Sequence, residues 1–245
     1  VTCGDHVLWA QLRTSDRDAS DGSTEALEYL VDRIRARWPE TRIIVRADSG
    51  FTRDGFMNWC ESNGVYYVMG LAKNKRLLQK LGKELAQAHA RYLQTGAAAR
   101  CFTQFQWTTL NSWTRPRRVI GKAEYLAKGP NPRFIVTNLP EEYATPDHLY
   151  EAVYCARGDM ENRIKEQQLD LFADRTSTST LRANQLRLWL STFAYVLMSA
   201  LRRHALKGTR MAKATCGTIR LKLLKIGAQL TISARRFLIR LPSAC

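Results

Sequence analysis

The segment Ile43-Ile-Val-Arg-Ala-Asp48-Ser-Gly-Phe51 constrains the fold of this chain more than any other. A short apolar run that stops at a carboxylate and then a glycine has the form of a buried strand delivering an acid at its C-terminal end. Its surroundings extend the pattern. Upstream, Ser23 suits an N-cap, Leu27, Leu30, Val31, Ile34 and Trp38 recur at helical spacing, and Pro39 stops the helix. Downstream, a short helix is predicted over 54–62, ended by Asn63-Gly64, and the apolar run from Val65 to Leu71 predicts another strand. Val1 to Cys3 and His6 to Arg13 read as two antiparallel strands joined by a tight turn at Gly4-Asp5. Strands and helices in this order predict an α/β fold, a mixed sheet with helices packed on it.

Residues 72–140 change character. A basic helical stretch from Asn74 to Leu93 leads to Gly96, and period-two segments follow at Cys101 to Leu110, Arg117 to Leu126 and Arg133 to Leu139. Turn signals at Asn111-Ser112, Gly129-Pro130-Asn131 and Pro140 separate them. The expected organisation is a core, first part, at 1–71, a β-rich insertion at 72–140, the rest of the core at 141–205, and a basic tail at 206–245. In that last part of the core, Pro146 suits a first helical turn. Leu186, Trp189, Leu190, Phe193, Leu197, Ala200 and Leu201 form an apolar stripe on a long helix. Ile219 to Ile226 reads as a basic amphipathic helix, and Leu230 to Leu241 as a basic strand or hairpin.

The second informative stretch is Tyr154-Cys-Ala-Arg-Gly-Asp-Met-Glu-Asn-Arg-Ile-Lys165. In a helix, Tyr154, Arg157, Glu161 and Lys165 would stack along one face. A phenol, a guanidinium, a carboxylate and an ammonium are an odd set to bury and an apt set to hold a metal-bound phosphodiester. The plainer reading of Glu161 is an i,i+4 ion pair with Lys165, and that of Asp48 is a cap on the Ser49-Gly50 turn.

Together the two stretches resemble the DDE transposases of bacterial insertion sequences, in the subgroup with a Y-x2-R-x3-E helix and a strand ending in R-A-D-S-G-F. The resemblance implies an RNase H-like fold and makes Asp48 and Glu161 catalytic ligands of two Mg²⁺ or Mn²⁺ ions. It makes Tyr154 and Arg157 phosphate contacts, with Lys165 the nearest cation, because the family's later lysine is here Gln168. The first family aspartate is expected ahead of Val1, and Asp5, in a turn, is not its counterpart, so the chain by itself is expected to be catalytically inactive. From the inserted region, Trp107 and Trp113 are candidates to stack on a base, although a tryptophan on a sheet more often serves core or edge packing. Arg115, Arg117 and Arg118 are candidate phosphate contacts. The implied partners are double-stranded DNA, at terminal inverted repeats and target, and a second copy of the chain in a synaptic dimer, in a bacterial cytoplasm. A nuclease of the same fold and a non-catalytic DNA-binding remnant are the alternatives.

Composition agrees with a polyanionic partner. Of 245 residues, 38 are Lys or Arg and 22 Asp or Glu, a net charge of +16. No acidic side chain follows Asp174, whereas Arg and Lys recur from Arg175 to Arg240. The six cysteines are scattered without a C-x2-C pair, which argues against zinc and a disulfide framework. No apolar run is long enough to span a bilayer. The chain starts at Val1 without a methionine and is expected to belong to a longer reading frame.

Overall fold

The computed structural model describes residues 1–18 and 20–241, so Cys245 lies outside the described residues. In chain order the strands and helices are β1 (Thr2–Cys3), β2 (His6–Val7), α1 (Ser23–Arg37), β3 (Ile44–Ala47), α2 (Asp54–Ser62) and β4 (Tyr66–Leu71). Then come α3 (Lys75–Lys80), α4 (Gly82–Thr95), β5 (Ala99–Trp107), β6 (Arg117–Leu126), β7 (Gly129–Pro130) and β8 (Arg133–Thr137). The rest are α5 (Pro146–His148), α6 (Gly158–Lys165), α7 (Leu181–His204), α8 (Cys216–Ile219), β9 (Gln229–Ser233) and β10 (Arg236–Arg240). Two compact units divide the chain: Ser15–Gly158, and Val1–Thr14 with Asp159–Cys245.

The larger unit is built on a mixed six-stranded sheet in the order β3-β4-β8-β6-β5, with β7 on β6. β3 and β4 run parallel, with Ile44 beside Tyr66 and Ala47 beside Met69. A parallel pair needs a crossover, and α2 supplies it. β8 joins β4 antiparallel, and β6 and β5 follow as antiparallel neighbours. Strands from 72–140 thus extend the sheet that carries β3. The expected β-rich insertion is part of this compact unit, whose divisions fall at 14/15 and 158/159.

Alternation along the strands gives each sheet face its own core. On one face Tyr67, Met69, Val119, Ala123, Phe134 and Val136 pack under Leu27 and Val31 of α1 and Phe56, Met57 and Cys60 of α2. On the other, Val68, Ile120 and Ile135 meet Leu149 and Tyr150 from the helical segment after Pro146. Each fully buried side chain of this size contributes about 1.5–3 kcal/mol, so both faces are closed by the hydrophobic effect. The predicted stripe of α1 holds except at its end. Trp38 is the C-cap residue of α1 and is exposed, because the helix has already stopped at Arg37.

The smaller unit departs further from expectation. β1 and β2 form the predicted hairpin, with Gly4 at φ 56 in its turn, but the strand does not continue to Arg13. Instead the backbone at Ala10 and Leu12 is held by the Gln185 side chain: Leu12 N donates to Oε1 at 2.8 Å and Nε2 donates to Ala10 O at 3.1 Å. In α7 the buried positions are Ser191, Tyr195, Met198 and Ser199, with Tyr195 and Met198 packed against Cys216 and Ile219. Most of the predicted stripe lies on the opposite side: Leu186, Trp189, Leu190, Phe193 and Leu197 are each more than half exposed, whereas Leu201 packs against the buried cluster. On the buried side of α7, Arg202 pairs with Glu166 at 2.7 Å, and Glu166 is also paired by Arg163. The C-terminal residues form a short helical turn from Cys216 and the β9–β10 hairpin.

Candidate catalytic and DNA-contacting residues

Asp48 follows the last residue of β3 and is exposed, as a strand-end acid should be. Its Oδ1 accepts a hydrogen bond from Gly50 N at 2.9 Å and caps the 3₁₀ turn Ser49–Phe51. A Cβ on Gly50 would lie 3.1 Å from that oxygen, so the glycine gives the carboxylate room. The capping reading of Asp48 is therefore correct as far as it goes, and one oxygen serves it.

The helical residues between 146 and 170 change pitch along the sequence. Leu149–Tyr154 and Glu166–Asp170 are π-helical, Cys155–Arg157 is 3₁₀, and Gly158–Lys165 is α-helical. In a 3₁₀ turn residues three apart eclipse. Arg157 consequently sits over the Tyr154 ring, with 5.6 Å from guanidinium carbon to centroid. Tyr154 points at β4: a Cβ built on Gly70 would meet its Oη at 2.7 Å, Ser49 N at 3.1 Å and the Asp48 carbonyl carbon at 3.4 Å. Burial raises the Tyr154 phenol above its ordinary pKa, opposed by the Arg157 charge and reinforced by Asp48. Asp48, Tyr154 and Arg157 thus converge within the larger unit, beside the C-terminal ends of the parallel strands.

Glu161 and Lys165 lie on α6 in the smaller unit, both exposed on the face that also carries exposed Gln168. The inward face holds Arg163, which pairs with Asp5, and Glu166, which pairs with Arg202 and accepts from Cys216 N. Asp5 is therefore occupied as a structural partner of α6. The two proposed metal ligands belong to different compact units. Among the described residues, no three His, Cys, Asp or Glu side chains gather as a metal site. In donor chemistry the two exposed carboxylates match a hard divalent cation.

The arginine cluster behaves differently from the phosphate-contact reading. Arg117 has a side chain 2% exposed and pairs with Asp54 Oδ1 and Glu61 Oε1, both at 2.7 Å. Its Nη2 also donates to Asn58 Oδ1, and its guanidinium lies over Trp113 at 5.4 Å. Arg118, 7% exposed, spends its donors on Gln104 and the carbonyls of Leu139 and Pro140. Both are corrected to internal struts of β6. Arg115 remains half exposed, although it reaches Glu61 at 3.2 Å. Trp107 is 6% exposed under Arg76, and Trp113 packs against the same core, which favours the packing reading of both.

Two further residues shape the site and were absent from the sequence candidates. Arg46 donates from Nη1 to Val153 O at 3.1 Å, and Thr52 Oγ1 donates to Gly70 O. Gly70 did carry a signal, since an isolated glycine inside an apolar strand marks close approach of another group.

The strand-end aspartate and the Tyr154–Arg157 pair both lie in the larger unit, beside its mixed sheet. The family described as Transposase DDE domain group 1 matches residues 1–245, and the chain belongs to it. Membership carries a transposase-type function and DNA binding, and the mixed sheet with its helices is compatible with the RNase H-like fold of that family. No curated protein matches the chain. No helix among the described residues is long and apolar enough to cross a membrane.

Proposed function

We propose that this chain supplies two of the three metal-binding carboxylates of a cut-and-paste transposase, which performs metal-dependent cleavage and strand transfer at transposon ends. The observation that carries the reading is the convergence of Asp48, Tyr154 and Arg157 in a chain that belongs to the DDE transposase family. Asp48 and Glu161 would hold Mg²⁺ or Mn²⁺ as two of the carboxylate ligands. Bound there, a pair of such ions would activate the attacking hydroxyl and stabilise the leaving oxygen. Arg157 would grip a non-bridging phosphate oxygen pair through its planar fork. Tyr154, packed beneath that guanidinium, would orient it and offer a hydroxyl beside the Asp48 turn. Lys165 and Arg115 would add charge along the DNA backbone, and a dimer would hold the two ends together.

The test is Mg²⁺-dependent cleavage of a duplex bearing the element's ends, by the full-length protein. Asp48→Ala and Glu161→Ala should each abolish cleavage and leave DNA binding intact. Cleavage unaffected by either substitution sinks the site. Cleavage without joining supports the nuclease reading, and salt-sensitive binding alone supports a DNA-binding remnant.

A further inference from the structure

We propose that Gly70 and Arg46 are positioning residues of the Asp48 site, setting how closely the Tyr154 phenol approaches the turn that carries the carboxylate. The proposal rests on the reading of Asp48 and Tyr154 as a phosphodiester site. Gly70 is in the interior of β4, where glycine costs about 0.5–1 kcal/mol relative to alanine. Its φ is not in the left-handed region, so backbone conformation does not demand a glycine there. Space does. A Cβ would lie 2.7 Å from Tyr154 Oη, a separation that must push something aside, and 3.1 Å from Ser49 N. The bare Cα is the spacer between the phenol and the Asp48–Ser49 backbone.

Arg46 acts from the neighbouring strand. Alternation puts it on the same face of β3 as Ile44, which packs in the cluster with Tyr154. Its bond to Val153 O holds the backbone one residue before Tyr154, inside the π-helical turn 149–154. Thr52, in the loop after the Asp48 turn, ties that loop to the Gly70 carbonyl. Arginine thus fixes where the tyrosine backbone sits, and glycine fixes how near its hydroxyl comes.

A double-mutant cycle between Gly70→Ala and Tyr154→Phe in the full chain tests this, since the phenylalanine lacks the atom a Cβ would strike. It is read as cleavage rate at saturating DNA and as thermal midpoint. Gly70→Ala alone should slow cleavage about tenfold, and in the Tyr154→Phe background by less than about threefold more. The drop in thermal midpoint should shrink in the same background. Equal losses in both backgrounds, by both readouts, overturn the spacing role. Arg46→Gln should lower kcat with KM for DNA unchanged, with partial recovery in Arg46→Lys. Weaker DNA binding with kcat unchanged would make Arg46 a plain phosphate contact and overturn its positioning role. Should the wild type bind without cleaving, the proposed reaction fails. The thermal cycle then still decides the Gly70 contact, for it if the losses are coupled and against it if they are equal.

Discussion

Arg117 shows how much a single side chain can organise. It bridges Asp54 and Glu61 on α2 to β6, while Tyr67 Oη donates to Glu61 Oε1 at 2.7 Å. Removing one member of such a buried network strands the others without a partner. Arg117→Ala should therefore destabilise the fold by about 3–5 kcal/mol, measured by urea denaturation. The same network predicts a pH response. Burial opposes ionisation of Glu61, but hydrogen bonds from Arg117 and Tyr67 and the charge of Arg115 outweigh it and hold the carboxyl below its ordinary 4.5. Asp54 is lowered in the same way, burial being outweighed by Arg117 and Thr114. Carboxyls depressed in the folded state stabilise it fully above their unfolded values, and that share is lost as pH falls through the folded values. Urea midpoints should be flat above pH 4.5 and fall below it, with a shallower fall in Arg117→Met. A fall equally steep in that variant would assign the effect to other carboxyls.

At the scale of elements, caps and faces decide where helices start and what they bury. α3 is capped by Asn74, whose Oδ1 accepts from Leu77 N at 3.0 Å, as Thr180 Oγ1 accepts from Ala183 N at the start of α7. Asn74→Ala should cost about 1 kcal/mol in denaturation experiments, and Asn74→Ser much less. α7 makes the opposite point about faces, since its most apolar side is outward. Replacing Leu190 and Phe193 together by Gln should change stability by less than about 0.5 kcal/mol per site. Concentration-dependent light scattering should fall, because a contiguous apolar strip drives association. A large loss of stability would place that face in the core.

For the whole molecule the governing quantity is charge. The excess of +16 is concentrated after Asp174, where 14 Lys and Arg and no acidic residue follow; of these, Arg220 is engaged by Asp170 O, and Phe172 stacks between Arg175 and Arg220. DNA affinity should fall steeply and linearly in log–log form with salt, with a slope of about −0.9 for each phosphate neutralised. Lys222→Gln or Arg236→Gln, both distant in sequence from Asp48, should each reduce that slope by about 1 and leave the cleavage chemistry of bound DNA unchanged. A slope that does not move would exclude those side chains from the DNA path.

Much of this was legible in the chain itself because it depends on neighbours in sequence. The Ile43–Asp48 run set a strand ending on an acid, Asn63-Gly64 and Gly96 set helix ends, and period-two patterning set β5, β6 and β8. Local propensity and turn chemistry suffice for such features. What tertiary structure alone decided is where polar groups spend their hydrogen bonds. Arg117 and Arg118 look like free cations in sequence and become struts only because Asp54, Glu61 and Gln104 arrive from distant segments. Gly70 gains its meaning from Tyr154, 84 positions later, and α7 turns its aromatic stripe outward because Tyr195 and Met198 find partners in Cys216 and Ile219. Periodicity fixes which residues share a face, and only the packed neighbours fix which face is inside.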